Sequence, residues 1–331
     1  MSLPAVLPTP RPADADEFEQ LTTVRDPDSG IRSVVAIHDT TMGPSLGGVR
    51  MRAYPSFDDA VRDAMALARA MTYKSALAGL RLGGGKSVID AAATPAAKAA
   101  FLPVHARHVA ALGGRYIPGA DMGTDAADME VLARDVPVVS SRRDPSPFTA
   151  RGVLRAVEAT LGRQGHRLAG RRIAVQGLGK VGSALVGLLR AAGAEVLVAD
   201  TDDARVRAAR GAGAVAVPVG EILTADADVL CPCAAGGVLT PAVLDALRAR
   251  AVVPGANNPL AGDAGAAVLA ARGVDYVPDF VANAGGVIVC EAEVLGSDDG
   301  IEEKIDAIGT TAVRILDEAA GRGTDTVTVA H

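Results

Sequence analysis

The chain has 331 residues, 49% of them apolar and 22% charged, a globular composition long enough for two domains. A net charge of −6 and a pI near 5.4 exclude the basic footprint of a nucleic-acid binder. No apolar run approaches the ~20 residues that span a bilayer, and three cysteines, an odd number for a disulfide framework, predict a reducing, cytoplasmic setting.

The start, residues 1–18, is Pro-rich and has no cationic segment followed by an apolar one, so a frayed lead-in is expected rather than a secretory signal. Ile31 to Ile37 is rich in β-branched residues and predicts a strand. Ser56 and Asp59 have the spacing of a capping box. The helix they open runs through Val61, Met65, Ala68, Met71 and towards Lys74, with Met71 and Lys74 sharing a face. The chain then enters Gly79-Leu80-Arg81-Leu82-Gly83-Gly84-Gly85-Lys86 and returns as the strand Ser87-Val88-Ile89. Only a few of the 33 Lys+Arg residues are lysine, so Lys74 and Lys86 in apolar surroundings stand out. Burial disfavours an ammonium, as does a second ammonium nearby. The pair therefore predicts one lysine pushed towards neutrality and able to take a proton. A further helix is expected from about Pro95 to Leu112, stopped by Gly113-Gly114, before Arg115-Tyr116-Ile117 leads into Gly119-Ala120-Asp121-Met122-Gly123-Thr124. His105 and His108 lie three apart on that helix without further ligands, and no metal site is expected.

Residues 140–147 are polar and Pro-containing, which predicts a linker and two domains, 1–140 and 141–331. A helix starts near Thr149. From Arg171 strands and helices alternate, the pattern of a parallel sheet covered on both faces. Gly177-Leu178-Gly179-Lys180-Val181-Gly182 matches G-x-G-x-x-G, follows a strand and opens a helix. Gly177 permits the tight turn, Gly179 lets the backbone approach a pyrophosphate, and Gly182 allows close helix–strand packing, while Lys180 and Val181 start the helix whose N–H groups face the phosphates. Asp200 ends the next strand, 23 positions after Gly177. It suits a ribose 2′-hydroxyl and repels a 2′-phosphate, which favours NAD over NADP. Arg205 is expected to be a surface residue of the next helix.

LGGVRM (46–51), MTYKSALAGLRLGGGK (71–86), GADMGT (119–124), TARGV (149–153), VQGLGKVG (175–182), CPCAAGG (231–237), GANNPL (255–260) and NAGGVI (283–288) occur in this order. With them the chain, from about Thr23 onwards, resembles the glutamate/leucine/phenylalanine/valine dehydrogenase family, closest to its leucine and valine dehydrogenase branch. The resemblance implies an α/β fold of two domains, an N-terminal α/β catalytic domain and a C-terminal Rossmann NAD-binding domain with a cleft between them. It also implies a homo-oligomer that reversibly deaminates an L-amino acid to a 2-oxo acid and ammonia with NAD. In the family's terms Lys86 is the general base, Asp121 assists proton transfer, and Lys74 with Asn257 binds the substrate carboxylate. Thr149 binds the nicotinamide amide, Asn258 and Asn283 lie near cofactor and substrate, and Ala234 sits beside the cofactor after Cys231-Pro232-Cys233. Relatives of this kind usually continue past the position of His331 for another helix or more.

The chemistry is coherent on its own terms: once hydride leaves Cα, a neutral Lys86 can activate water against the resulting iminium carbon. The glutamate branch carries a lysine where this chain has Leu46, so a distal carboxylate finds no cation there. Leu46, Gly47, Met71, Gly119 and Val287 predict a pocket for an aliphatic side chain. Val287, Cys290 and Glu291 share one helical face, so Glu291 either reaches the pocket and recognises a polar or cationic side chain, or points to solvent or pairs with an arginine. The alternatives to an aliphatic substrate are therefore a polar, cationic or non-proteinogenic amino acid, or a non-catalytic NAD-binding regulator.

Overall fold

The computed structural model describes residues 17–139, 143–262 and 264–331. Most of the expected lead-in, and the start of the expected linker, lie outside the described residues. The described chain forms two compact units: residues 17–72 with 81–139, and residues 73–80 with 143–331.

The first unit contains β1 (Gln20–Arg25), β2 (Arg32–Asp39), β3 (Ser45–Arg52), α1 (Phe57–Leu77, whose end from Tyr73 groups with the second unit), β4 (Gly83–Asp90), α2 (Pro95–Ala110), β5 (Tyr116–Ala120) and α3 (Ala126–Leu132). The strands order β1-β2-β4-β3-β5. β1 and β4 run antiparallel to β2, and β4 and β5 run parallel to β3. Asp59 N–H donates to Ser56 Oγ at 3.2 Å, closing the expected cap. Ala60, Ala64, Met65 and Ala68 of α1 pack on Val34, Ala36 and Val88. The opposite sheet face meets Leu102 and Ala106 of α2 and Met129 and Leu132 of α3 through Ile31, Val49, Met51 and Ile89. Truncating a filled position such as Met65 to alanine costs about 2–5 kcal/mol. The glycine run belongs to β4, which is longer than its β-branched part suggests. A Cβ on Gly84 would lie 2.2 Å from the backbone nitrogen of Thr72 and 2.5 Å from the carbonyl of Ala68, so the bare glycine surface lets the α1 backbone rest directly on the strand.

The second unit contains α4 (Ser146–Arg163), β6 (Arg172–Gln176), α5 (Lys180–Ala191), β7 (Glu195–Ala199), α6 (Asp203–Gly211), β8 (Val215–Ala216), β9 (Val229–Pro232), α7 (Pro241–Ala246), β10 (Ala251–Val252), α8 (Gly265–Ala271), β11 (Asp275–Tyr276), α9 (Asp279–Ala282), α10 (Gly285–Leu295), α11 (Ile301–Arg322) and α12 (Thr326–Ala330). Its parallel sheet orders β11-β10-β9-β6-β7-β8, the doubly wound order whose direction of growth reverses between β6 and β9. α11 buries Ile305, Ile308, Ala312, Ile315 and Leu316. It packs on α4 closely enough that a Cβ on Gly309 would be 3.0 Å from the Arg155 carbonyl. Acidic residues around the start of α11 are paired: Asp298 with Arg143 at 2.9 Å, Glu302 with Arg151, and Asp306 with Arg155 at 2.7 Å.

Candidate active site

Lys86 lies on β4 and is 5% exposed. Its Nζ is 2.9 Å from Asp121 Oδ2, and the same oxygen accepts Arg50 Nε at 2.9 Å. Arg50 reaches on to Asp63 of α1 at 3.0 Å, and Asp63 also accepts the Tyr54 hydroxyl. Asp121 is held in the turn after β5, where its N–H donates to Thr124 Oγ1 at 3.0 Å and that hydroxyl donates to the Val49 carbonyl at 2.8 Å. Gly48 makes the meeting possible. A Cβ there would lie 2.5 Å from Asp121 Cβ and 3.0 Å from Lys86 Nζ.

Burial pushes the Lys86 pKa down; Asp121 opposes this and Arg50 adds to it, with a lowered value as the result. Burial alone would raise the Asp121 pKa, but Lys86 and Arg50 outweigh it and hold the carboxyl at about 2. Within its own unit the like charge that bears on Lys86 is Arg50, which the sequence reading missed, and the ion partners of Asp121 there are Lys86 and Arg50. Arg50 was visible as a charge within the strand Ser45–Arg52, two residues from Gly48 and therefore on its face.

Lys74 groups with the second unit, is 8% exposed, and donates to Asn257 Oδ1 at 3.2 Å. Asn283 Nδ2 donates to the same oxygen at 2.8 Å. Asn283 Oδ1 is buried without a hydrogen-bond partner, the mark of an acceptor awaiting a ligand donor. Asn258 sits at φ 49° in the left-handed region, and its N–H donates to Asp279 Oδ2 at 3.0 Å. Asp279 was missed in the sequence. Burial raises its pKa, opposed by the Asn258 N–H and the Lys74 charge. Thr149 donates to the Pro145 carbonyl at 3.1 Å, and Gly286 leaves room for its hydroxyl, since a Cβ there would be 2.7 Å from Thr149 Oγ1.

The residues of the G-x-G-x-x-G turn fit a dinucleotide. Gly177 has φ 93°, and a Cβ on it would strike Ala234 at 2.6 Å. A Cβ on Gly182 would lie 1.9 Å from the Gly177 carbonyl, whereas the space around Gly179 is open. Gly179 is the N-cap of α5 and supplies no side-chain cap, so the first N–H groups, from Lys180 and Val181, face that opening. Lys180 is exposed, 3.3 Å from Asp144. Asp200 accepts the Leu178 N–H at 2.5 Å and the Asp202 N–H at 2.8 Å, and Arg205 stands 4.0 Å from it and 3.3 Å from Asp202.

Of the residues expected to form the side-chain pocket, Leu46, Gly47 and Gly119 are buried in the first unit, where Gly119 pairs with Gly48, and Met71 is half-buried on α1. Val287, Cys290 and Glu291 lie on α10 in the second unit. Glu291 is 2% exposed and paired with Lys304 of α11, so it does not face solvent.

No helix among the described residues is long and apolar enough to cross a membrane. Residues 18–137 match the model of the Glu/Leu/Phe/Val dehydrogenase dimerisation domain, and residues 142–212 and 201–328 match that of the glutamate/leucine/phenylalanine/valine dehydrogenases. The chain is 36% identical to leucine dehydrogenase of Bacillus cereus over 312 residues, 91% of this chain and 85% of that one. It is 38% identical to valine dehydrogenase of Streptomyces albus over 325 residues, 94% of this chain and 89% of that one. Among solved structures, L-tryptophan dehydrogenase from Nostoc punctiforme aligns with a TM-score of 0.84 at 34% identity, covering 95% of this chain and 93% of the other. Motifs, folds and relatives agree along the length of the chain: it belongs to the glutamate/leucine/phenylalanine/valine dehydrogenase family and is an amino acid dehydrogenase.

Proposed function

We propose that the chain catalyses the reversible, NAD-dependent oxidative deamination of branched-chain or other aliphatic L-amino acids to 2-oxo acids and ammonia. The observation that carries this reading is the buried Lys86, set 2.9 Å from an ionised Asp121. The nicotinamide, when bound, accepts the hydride from the substrate Cα. Lys86 then takes a proton from the water that attacks the iminium carbon and returns it as ammonia departs. Asp121 keeps its charge throughout and steadies the lysine in both protonation states. Lys74 supplies the fixed cation for the substrate carboxylate, with Asn257 beside it and the unsatisfied Asn283 acceptor available to a ligand donor.

Two observations favour NAD and an aliphatic substrate. The Asp200 carboxylate ends β7 with Arg205 engaged by Asp200 and Asp202, an arrangement that suits a free 2′-hydroxyl better than a phosphate. Leu46 is buried and uncharged, and Glu291 is neutralised by Lys304. The relatives named leucine and valine dehydrogenase point the same way. The match to a dimerisation domain supports assembly into a homo-oligomer, and three free cysteines are compatible with a reducing, cytoplasmic setting. NADH formation at alkaline pH with leucine, valine, isoleucine, tryptophan and lysine, and NADP as control, tests this. Turnover confined to lysine or tryptophan would refute the aliphatic assignment, and turnover with NADP alone the cofactor assignment.

A further inference from the structure

The arm Arg50–Asp63–Tyr54 lies behind the pair assigned to proton transfer. Arg50 is on β3, Asp63 on α1, and Tyr54 in the connection between them. The Arg50 side chain is 12% exposed and those of Asp63 and Asp121 are 29% and 19%. Its guanidinium spans both carboxylates, Nε at 2.9 Å from Asp121 Oδ2 and Nη1 at 3.0 Å from Asp63 Oδ2. Tyr54 donates to that same Asp63 oxygen and stacks under Arg52, whose guanidinium carbon is 4.6 Å from the ring centroid.

We propose that Arg50 is a positioning residue for the dehydrogenase reaction, anchored to α1 through Asp63 and Tyr54, that shares the Asp121 carboxylate with Lys86 and so keeps Lys86 free to give up its proton.

A lysine facing one aspartate in a buried site settles into an ion pair and holds its proton. A second cation on the same oxygen changes that balance. It satisfies part of the charge of Asp121 and repels the Lys86 ammonium. Arginine suits the task because its planar fork reaches two carboxylates at once and it does not lose its own charge. Three charged groups around Lys86 act on it, and they differ in sign. Asp121, from the turn after β5, and Asp63, from α1, favour its ammonium, and Arg50, from β3, disfavours it. β2 puts uncharged Ala36 opposite Lys86, and burial pushes the Tyr116 phenol of β5 up, so it stays un-ionised.

This assignment rests on Lys86 being the base. Arg50→Gln and Arg50→Lys are therefore compared with the unaltered full chain by two readouts. The first is the pH profile of leucine oxidation. The second, independent of turnover, is trace acetylation of Lys86 by acetic anhydride against pH, read by peptide mass spectrometry. In Arg50→Gln the acidic limb of kcat and the Lys86 labelling midpoint both move up by about one pH unit. At a pH below the original midpoint kcat then drops roughly tenfold and recovers in alkali, with KM changed less than about threefold. Arg50→Lys keeps the charge and loses the fork, so its labelling midpoint stays near the original while kcat falls at every pH. A labelling midpoint unmoved in Arg50→Gln overturns the proposal, whether or not activity drops. A midpoint that moves in a protein inert to every amino acid tested keeps Arg50 in its role and removes Lys86 from its assignment as the base.

Discussion

Acid should unfold this protein earlier than its carboxylates alone require, because of His105. The ring is wholly buried on α2, with Nδ1 at 3.2 Å from Ser33 Oγ and Nε2 at 3.0 Å from Ser87 Oγ. Burial, with a smaller push from His108, drives its pKa down to about 3. In the unfolded chain a histidine titrates near 6.5. Between those values the unfolded state binds a proton that the folded state refuses, so stability rises with pH across the window. The contribution is fully present above about pH 6.5 and is lost progressively as pH falls towards 3. Each unit is worth about 1.4 kcal/mol, so the loss at about pH 5 is roughly 2 kcal/mol from His105 alone. His108, whose two ring nitrogens are buried without partners, is lowered by burial too and adds in the same direction. The measurement is the urea midpoint, followed by circular dichroism from about pH 7.5 to 5, for the parent and for His105→Gln. Glutamine retains a donor and an acceptor for the two serines and does not titrate. It should be less stable by about 1–2 kcal/mol at neutral pH, from lost packing and imperfect hydrogen bonds, and should lose less on acidification, so the two curves converge. Parallel curves would refute the reasoning.

Three other outcomes are expected. Asp200→Ser should raise the ratio of NADP to NAD turnover by about tenfold or more, read from kcat/KM for each cofactor, since the carboxylate that repels a 2′-phosphate is removed and Arg205 keeps only Asp202 as its acidic partner. Gly48→Ala should lower kcat at least a hundredfold while circular dichroism stays that of a folded protein, because a methyl group would sit 2.5 Å from Asp121 Cβ and misplace the carboxylate. Glu291→Ala should lower thermal stability by about 1–3 kcal/mol, having broken the pair with Lys304, and should leave the ratio of leucine to lysine turnover unchanged; a ratio that shifts towards leucine would put the carboxylate back in the pocket.

Features whose cause is local were legible in the sequence. The cap at Ser56 and Asp59 and the glycine turn at 177–182 depend on neighbours a few residues apart, and their spacing announces them. β3 is harder to read, because two adjacent glycines in LGGVRM weaken any strand signal. They are there to admit Lys86 and Asp121, which come from elsewhere in the chain. The length of β4 is masked in the same way: its glycines are shaped by α1 lying against them. Partnerships were the least legible. Lys74 meets Asn257 across 183 positions and Arg50 meets Asp121 across 71, distances over which composition and period say nothing. Glu291 shows the limit well. Its helical face was deducible, but which residue faces it depends on how α11 packs beside α10.

The two lysines that first drew notice are chemically identical, and their neighbours make them different. Lys74 donates into the amide oxygen of Asn257, which also takes a hydrogen bond from Asn283, and the carboxyl of Asp279 feels its charge. Neutral acceptors and a nearby carboxyl suit a standing positive charge, the property needed to fix a substrate carboxylate. Lys86 is more deeply buried and confronts a second cation across a shared carboxylate, which favours giving the proton away. Separating a fixed charge from a titrating one by environment alone is how a site can bind an anion and move protons with the same side chain type. The separation places a demand on Arg50 that the sequence motif does not reveal: without a second cation on Asp121, burial alone would be left to oppose the Asp121 charge at Lys86, and Lys86 would hold its proton more firmly.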